Sequence, residues 1–215
     1  GKPEDLAATD RAAMECIDPN RRYQDRDNYV WVRDAEKNHL VVGTQARILY
    51  QDALGRMKIA LKFNEMVRNG EIGPVMLGRD HHDTGGTDSP FRETSNIKDG
   101  SNIMADMAVQ CFAGNCARGM SLVALHNGGG VGIGKSINGG FGLVLDGSER
   151  VDNIIRSAMM WDVMGGVARR NWARNEHSVE TSVKYNEKWA GKAHITIPYF
   201  ADDELVKKTV ADALK

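Results

Sequence analysis

The chain has 215 residues, 41% hydrophobic and 27% charged, which suits one domain or one large lobe of an ordinary soluble globular protein. A formal net charge of −1 removes the electrostatic argument for nucleic acid or an anionic membrane surface, and neither a bilayer-length apolar run nor a signal-peptide pattern is present. Three cysteines, Cys16, Cys111 and Cys116, are an odd count without C-x-x-C spacing and read as reduced thiols in the cytoplasm, not as a disulfide framework or a zinc site.

Residues 1–39 read as a polar N-terminal helical segment. Leu6, Ala7, Ala13 and Met14 line one predicted helix, a turn follows at Asp18, Pro19 and Asn20, and Tyr29 to Asn38 predicts a second helix. With Gly1 in place of an initiator Met, the chain is expected to be a processed, truncated or tagged piece of something longer. From residue 40 to 215 the texture is that of an α/β domain. Leu40 to Gly43 predicts a short strand or buried turn, and Ala46 to Tyr50 a second strand. Arg56 to Asn69 predicts an amphipathic helix with Met57, Ala60, Leu61, Phe63, Met66 and Val67 on its apolar face, stopped by Gly70 at the C′ position.

Pro74 to Gly78 predicts a strand that empties into Arg79, Asp80, His81, His82 and Asp83. A Gly/Thr/Ser loop follows, then a helix over Ser101 to Ala117 with Met104, Met107, Ala108, Cys111 and Phe112 inward. Leu122 to Leu125 predicts a buried strand with His126 and Asn127 at its carboxyl end, leading into Gly128, Gly129, Gly130, Gly132 and Gly134. Phe141 to Asp146 predicts another strand. Ser148 caps a helix to Trp161, Gly165 and Gly166 break it, and Val167 to Trp189 predicts a further helix. His194 to Ile197 predicts a last strand, and Asp202 to Leu214 a terminal helix. Strands alternating with helices predict an α/β fold with a mostly parallel sheet flanked by helices.

The glycine run carries the first functional signal. Each glycine costs roughly 0.5–1 kcal/mol of conformational freedom relative to Ala in regular structure, a cost that positive φ or close approach of the backbone to a ligand explains. A plain tight turn is the alternative. No G-x-G-x-x-G frame fits residues 128–140, so the main binding domain of any nucleotide is expected outside this chain. The Arg79–Asp83 cluster has three readings: metal ligands, solvated ion pairs, or a catalytic group. In the last, His81 or Asp83 serves as acid or base, and Arg79 and Arg92 hold a carboxylate through their planar forks. Adjacent His81 and His82 on a strand point opposite ways, which makes one shared metal awkward, so no metal is expected. Cys111 and Cys116 read as inert thiols on or near a helix's apolar face.

The stretches GTQARILY, FNEMVRNGEI, GRDHHDTGGTDSPFRET, KDGS, ALHNGGGVGIG and DGS, in one order from Val41 to Arg170, resemble the C-terminal part of urocanase. TDSPFRETSN, ADMAVQ and WDV-x-x-GVARR are similar to the eukaryotic-type branch. The resemblance implies one lobe of the urocanase core, the family's N-terminal region and inserted NAD-binding domain being absent. It implies a hydro-lyase of histidine degradation that adds water to urocanate, giving imidazolonepropionate, with tightly bound NAD+ as an electrophile. It places Gly128, Gly129 and Gly130 beside the NAD, and it makes Asp80, His81 and Asp83 catalytic. Arg92, Arg79 and His126 become contacts to urocanate. Bacterial members carry a cysteine where this chain has Leu49, so no thiol should be required. A homodimer is expected, and an inactive isolated chain. A stand-alone ligand-binding module and a metal-dependent hydrolase built on Arg79–Asp83 are the competing readings.

Overall fold

In a computed structural model, the described residues are 1–40, 45–78, 106–127, 137–191, 193–199 and 201–215. They form two compact units, Gly1–Gly166 and Val167–Lys215.

In the first unit, helix α1 (Pro3–Cys16) starts with proline and two acidic residues in its first turn, all favourable at a helix N-terminus. It packs on α2 (Tyr23–Arg33) and α3 (Ala53–Arg68). Asp52 caps α3 by accepting from the Gly55 N–H at 2.8 Å. At the other end Gly70 takes φ 72°, and the N–H groups of Gly70 and Glu71 return to Val67 and Met66, each at 3.0 Å. That is the Schellman closure the glycine predicts. Met57, Ile59, Ala60, Phe63 and Met66 give α3 a buried face.

Among the described residues the sheet has three strands, β1 (Val75–Gly78), β2 (Leu122–Asn127) and β3 (Ile137–Leu145), in the order β1-β3-β2. Both outer strands pair antiparallel with β3. Phe141, Leu143 and Leu145 alternate inward and are buried, while Val144 between them is exposed, the period-two pattern of a half-buried sheet. Helix α4 (Asp106–Ala117) packs on β3 and β2. After β3 come α5 (Glu149–Ile154), a π-helical segment (Ile155–Met159) and α6 (Met160–Trp172). Val151, Ile155 and Ala158 are buried along the first two of these.

In the second unit α7 (Glu176–Lys188) is capped by Asn175, which accepts from the Ser178 N–H at 3.0 Å. Helix α8 (Asp203–Ala213) buries no residue.

Several expectations are corrected. The mostly parallel sheet is an antiparallel one of three strands. The sequence order β1, α4, β2 does put β1 and β2 in the same direction, as a crossover should. The short connection after β2, however, brings β3 back between them as an antiparallel neighbour. Ala46–Tyr50 and His194–Ile197 are irregular, and side chains rather than a neighbouring strand bond some of their backbone groups. Asn28 Oδ1 accepts from the Tyr50 N–H at 3.0 Å. Asn186 accepts from the Ile195 N–H at 2.7 Å and donates to its carbonyl at 2.8 Å. Gly165 and Gly166 lie inside α6 without breaking it; a Cβ at Gly165 would meet only open space, and the two compact units meet in sequence at Gly166. The second helix begins at Tyr23 and ends at Arg33, earlier than predicted. The helix predicted from Val167 to Trp189 is interrupted near Arg174, which takes φ 64°.

Candidate active site

The strand topology points β1 and β2 the same way. Since β1 and β2 both run antiparallel to β3, they run in one direction, and their carboxyl ends point to the same end of the sheet. The two ends are staggered. Gly78 and Leu122 are both paired with Gly142, whereas Asn127 is paired with Ile137. β2 therefore continues five positions beyond the end of β1, a rise of about 17 Å at strand spacing.

His126 is the one predicted site residue among the described residues. It is the penultimate residue of β2, opposite Asn138, half-buried, with its Nε2 shielded from solvent. Strand alternation puts it on the same face as Ala124, Leu122 and, across the pairing, Gly142. A Cβ at Gly142 would collide with Met76 and sit 3.3 Å from the Leu122 Cβ, so glycine lets these flanking side chains close over the central strand. Arg79, Asp80, His81, Asp83, Arg92, Gly128, Gly129 and Gly130 lie outside the described residues, as do His82, Met104 and Leu40's neighbours from Val41 to Thr44.

At the opposite end of the sheet, where β3 ends level with the start of β1, the scaffold depends on polar groups not evident from the sequence. Asn64 on α3 is fully buried. Its amide donates to the Ser148 carbonyl at 3.0 Å and to Asp152 Oδ1 at 2.7 Å, and its Oδ1 accepts from the Gly147 N–H at 2.8 Å. Arg68 adds a bond from Nε to the Gly147 carbonyl at 2.7 Å and pairs with Asp152. Gly147 takes φ 82°, and a Cβ there would lie 2.8 Å from the Arg68 backbone, so only glycine fits. The DGS motif is thus a turn locked to α3. Within it Asp146 accepts from the Ser148 N–H at 2.8 Å. The Ser148 side chain, then its backbone, hold the exposed Asp146 carboxyl below the usual carboxylate range. Ser148 also caps α5, accepting from the Val151 N–H at 3.3 Å.

A second buried cluster joins α4 to α6. Cys111 Sγ donates to Asp162 Oδ1 at 3.1 Å, and the Asn115 amide donates to the same oxygen at 3.3 Å. Cys111, Asn115 and Asp162 are all buried, which bears out Cys111 as an interior thiol; Cys116 is exposed. Beside them Gly114 lies under the Trp161 ring, where any Cβ would overlap it, and the Arg118 guanidinium stands 4.4 Å from that ring's centroid, within cation–π range. The Asn64 and Asp162 groups carried one available signal: polar residues at otherwise apolar helical positions. Leu49, at the place of the bacterial cysteine, is half-buried in an irregular segment. Arg47 anchors that segment through Asp10 at 2.8 Å and through the Leu40 carbonyl.

An α/β lobe whose strands β1 and β2 run in one direction on either side of β3 is the class this geometry defines. The model of the urocanase C-terminal domain matches residues 1–184, and the chain belongs to that family. It is 50% identical to a probable urocanate hydratase of Caenorhabditis elegans over 217 aligned residues, covering 97% of this chain. It is 49% and 48% identical to the urocanate hydratases of Mus musculus and Homo sapiens, each over 96% of this chain. The chain spans 32% of the length of each of these relatives. No helix among the described residues is long and apolar enough to cross a membrane.

Proposed function

We propose that this chain forms the C-terminal active-site lobe of a urocanate hydratase, the hydro-lyase of histidine degradation that adds water to urocanate. The observation that carries the reading is the shared direction of β1 and β2 in a chain of the urocanase family. Five residues of extended chain span about 17 Å, so Arg79 to Asp83 have the length to reach the level of Asn127 from the end of β1. His126 already stands at that level.

The described sheet is antiparallel and offers no parallel switch point for a dinucleotide. It therefore fits NAD+ only as a cofactor held mainly by other parts of the protein, with Gly128, Gly129 and Gly130 meeting it from the end of β2. Bound there, NAD+ supplies an electrophilic nicotinamide. The chain's own groups bind, orient and move protons. Arg92, with Arg79 beside it, forks onto the urocanate carboxylate, and His126 contacts the substrate from the strand end. His81 or Asp83, with Asp80, holds the proton. Leu49 leaves no thiol at the bacterial cysteine's place, and catalysis proceeds without one. The enzyme works as a cytoplasmic homodimer, and the isolated chain is inactive because it lacks most of the cofactor site.

In the complete parent enzyme, replacing Arg92 with Ala removes a charge-assisted bidentate contact of about 2–3 kcal/mol. The KM for urocanate should rise by about 30–160-fold, with a smaller change in kcat. An unchanged KM removes Arg92 from the carboxylate.

A further inference from the structure

A cleft of about 350 Å³ opens between the end of α1, the outer face of α3 and the π-helical segment. It shares no lining residue with the sheet edge described above. Its charges are unequal. Lys62 pairs with Glu65 at 3.0 Å, and Arg68 pairs with Asp152, so those four groups compensate one another. Lys58 and Arg156 remain. Among the described residues the Lys58 ammonium donates only to the Cys16 carbonyl, at 3.1 Å. Arg156 makes no hydrogen bond or ion pair among the described residues. Two uncompensated cations therefore face one cleft in a chain whose formal net charge is −1. Lys58 and Lys62 are also stacked at i and i+4 on α3, a like-charge arrangement that is mildly unfavourable in a bare helix.

The backbone is irregular at the same place. Arg156 belongs to the π-helical segment Ile155–Met159, and π turns are rare and concentrated at functional positions. Leu61 and the half-buried Cys16 give the cleft a small apolar floor.

We propose that this cleft binds a small phosphate-bearing metabolite, its dianion held between Lys58 and Arg156. A phosphomonoester carries about −1.5 to −2 charges at neutral pH, matching the two spare cations, and a guanidinium fork with a lysine point charge suits a phosphate. The volume lies at the low end of small-molecule sites, about 300–1,000 Å³, which fits a phosphorylated metabolite and excludes a dinucleotide. Glu65 and Asp152 on the walls disfavour a polyanion. The site is regulatory or auxiliary, since nothing in it reaches the sheet edge.

The test is calorimetric titration of the 215-residue chain with inorganic phosphate at constant ionic strength, with chloride as the control. Saturable 1:1 binding is expected. Arg156→Gln should weaken it by about tenfold or more, the value of one charge-assisted contact; Lys58→Gln should weaken it less, and Lys207→Gln on α8 should leave it unchanged. Phosphate should also slow alkylation of Cys16, followed by peptide mass spectrometry, while leaving the exposed Cys116 unaffected. The proposal is overturned if phosphate binds no better than chloride or if Cys16 is not protected in the wild-type chain. It is equally overturned if Lys207→Gln weakens binding as much as Arg156→Gln does, which would mean unspecific charge attraction.

Discussion

Asn64→Ala is the sharpest perturbation of the scaffold that ties α3 to the turn after β3. The side chain is 0% exposed and makes three bonds, at 3.0, 2.7 and 2.8 Å, that tie α3 to the Gly147 turn and α5. Two are to neutral backbone groups, worth about 1 kcal/mol each, and one is to a carboxylate, worth about 1.5–3 kcal/mol. Truncation also leaves the Gly147 N–H and the Ser148 carbonyl without this partner. The expected loss is about 3–5 kcal/mol, a large share of a typical total of about 5–15 kcal/mol. Urea denaturation followed by circular dichroism reads it as a midpoint lowered by about 1–2 M with the slope unchanged. Asn64→Asp sharpens the test. It keeps an acceptor for the Gly147 N–H but sets a carboxylate against Asp152, so it should be at least as damaging as Ala. A loss below about 1 kcal/mol in Asn64→Ala, or a benign Asn64→Asp, refutes the assignment of this residue as the clamp.

Two further predictions follow from the same geometry. Gly114→Ala should destabilise the chain by about 1–3 kcal/mol through overlap with Trp161, and Trp161→Leu in the same chain should restore much of the loss; an additive double mutant would show that the overlap is not the cause. Asp146, held below the usual carboxylate range chiefly by Ser148, contributes stability that is present above the unfolded carboxylate pKa and lost as pH falls through its lower native value. Ser148→Ala should move the Asp146 titration, followed by NMR, back up toward the ordinary range; an unmoved titration excludes Ser148 as the cause.

Much of the local structure was legible because it is encoded locally. The spacing on α3 and the glycine after it predicted both the helix and its closure, and Ser148 was readable as a cap because its side chain needs only the next turn. What failed was set by distant partners. Asn28 and Asn186 satisfy backbone groups of two strand-like segments, and no periodicity in ARILY or HITI reveals that. The parallel sheet was inferred from the strand–helix–strand order, which correctly implied co-directional β1 and β2. The insertion of β3 between them depends on long-range pairing. For the candidate site, the carboxyl ends of β1 and β2 point to the same end of the sheet, and His126 lies there. The residues from Arg79 to Arg92 and from Gly128 to Gly130 fall outside the described residues, and their roles rest on the family resemblance and on residue chemistry. Asn64 and Asp162 were missed because a polar residue inside an apolar pattern reads as surface until its partners on other elements are known.

The central claim, that this chain is the C-terminal lobe of a urocanate hydratase and needs the rest of the polypeptide to work, is tested by following the ultraviolet absorbance of urocanate. The complete parent enzyme should consume the absorbance, and the 215-residue chain alone should not. Persistence of the absorbance with the folded parent would contradict the hydratase assignment, and its loss with the chain alone would contradict the dependence on the missing regions.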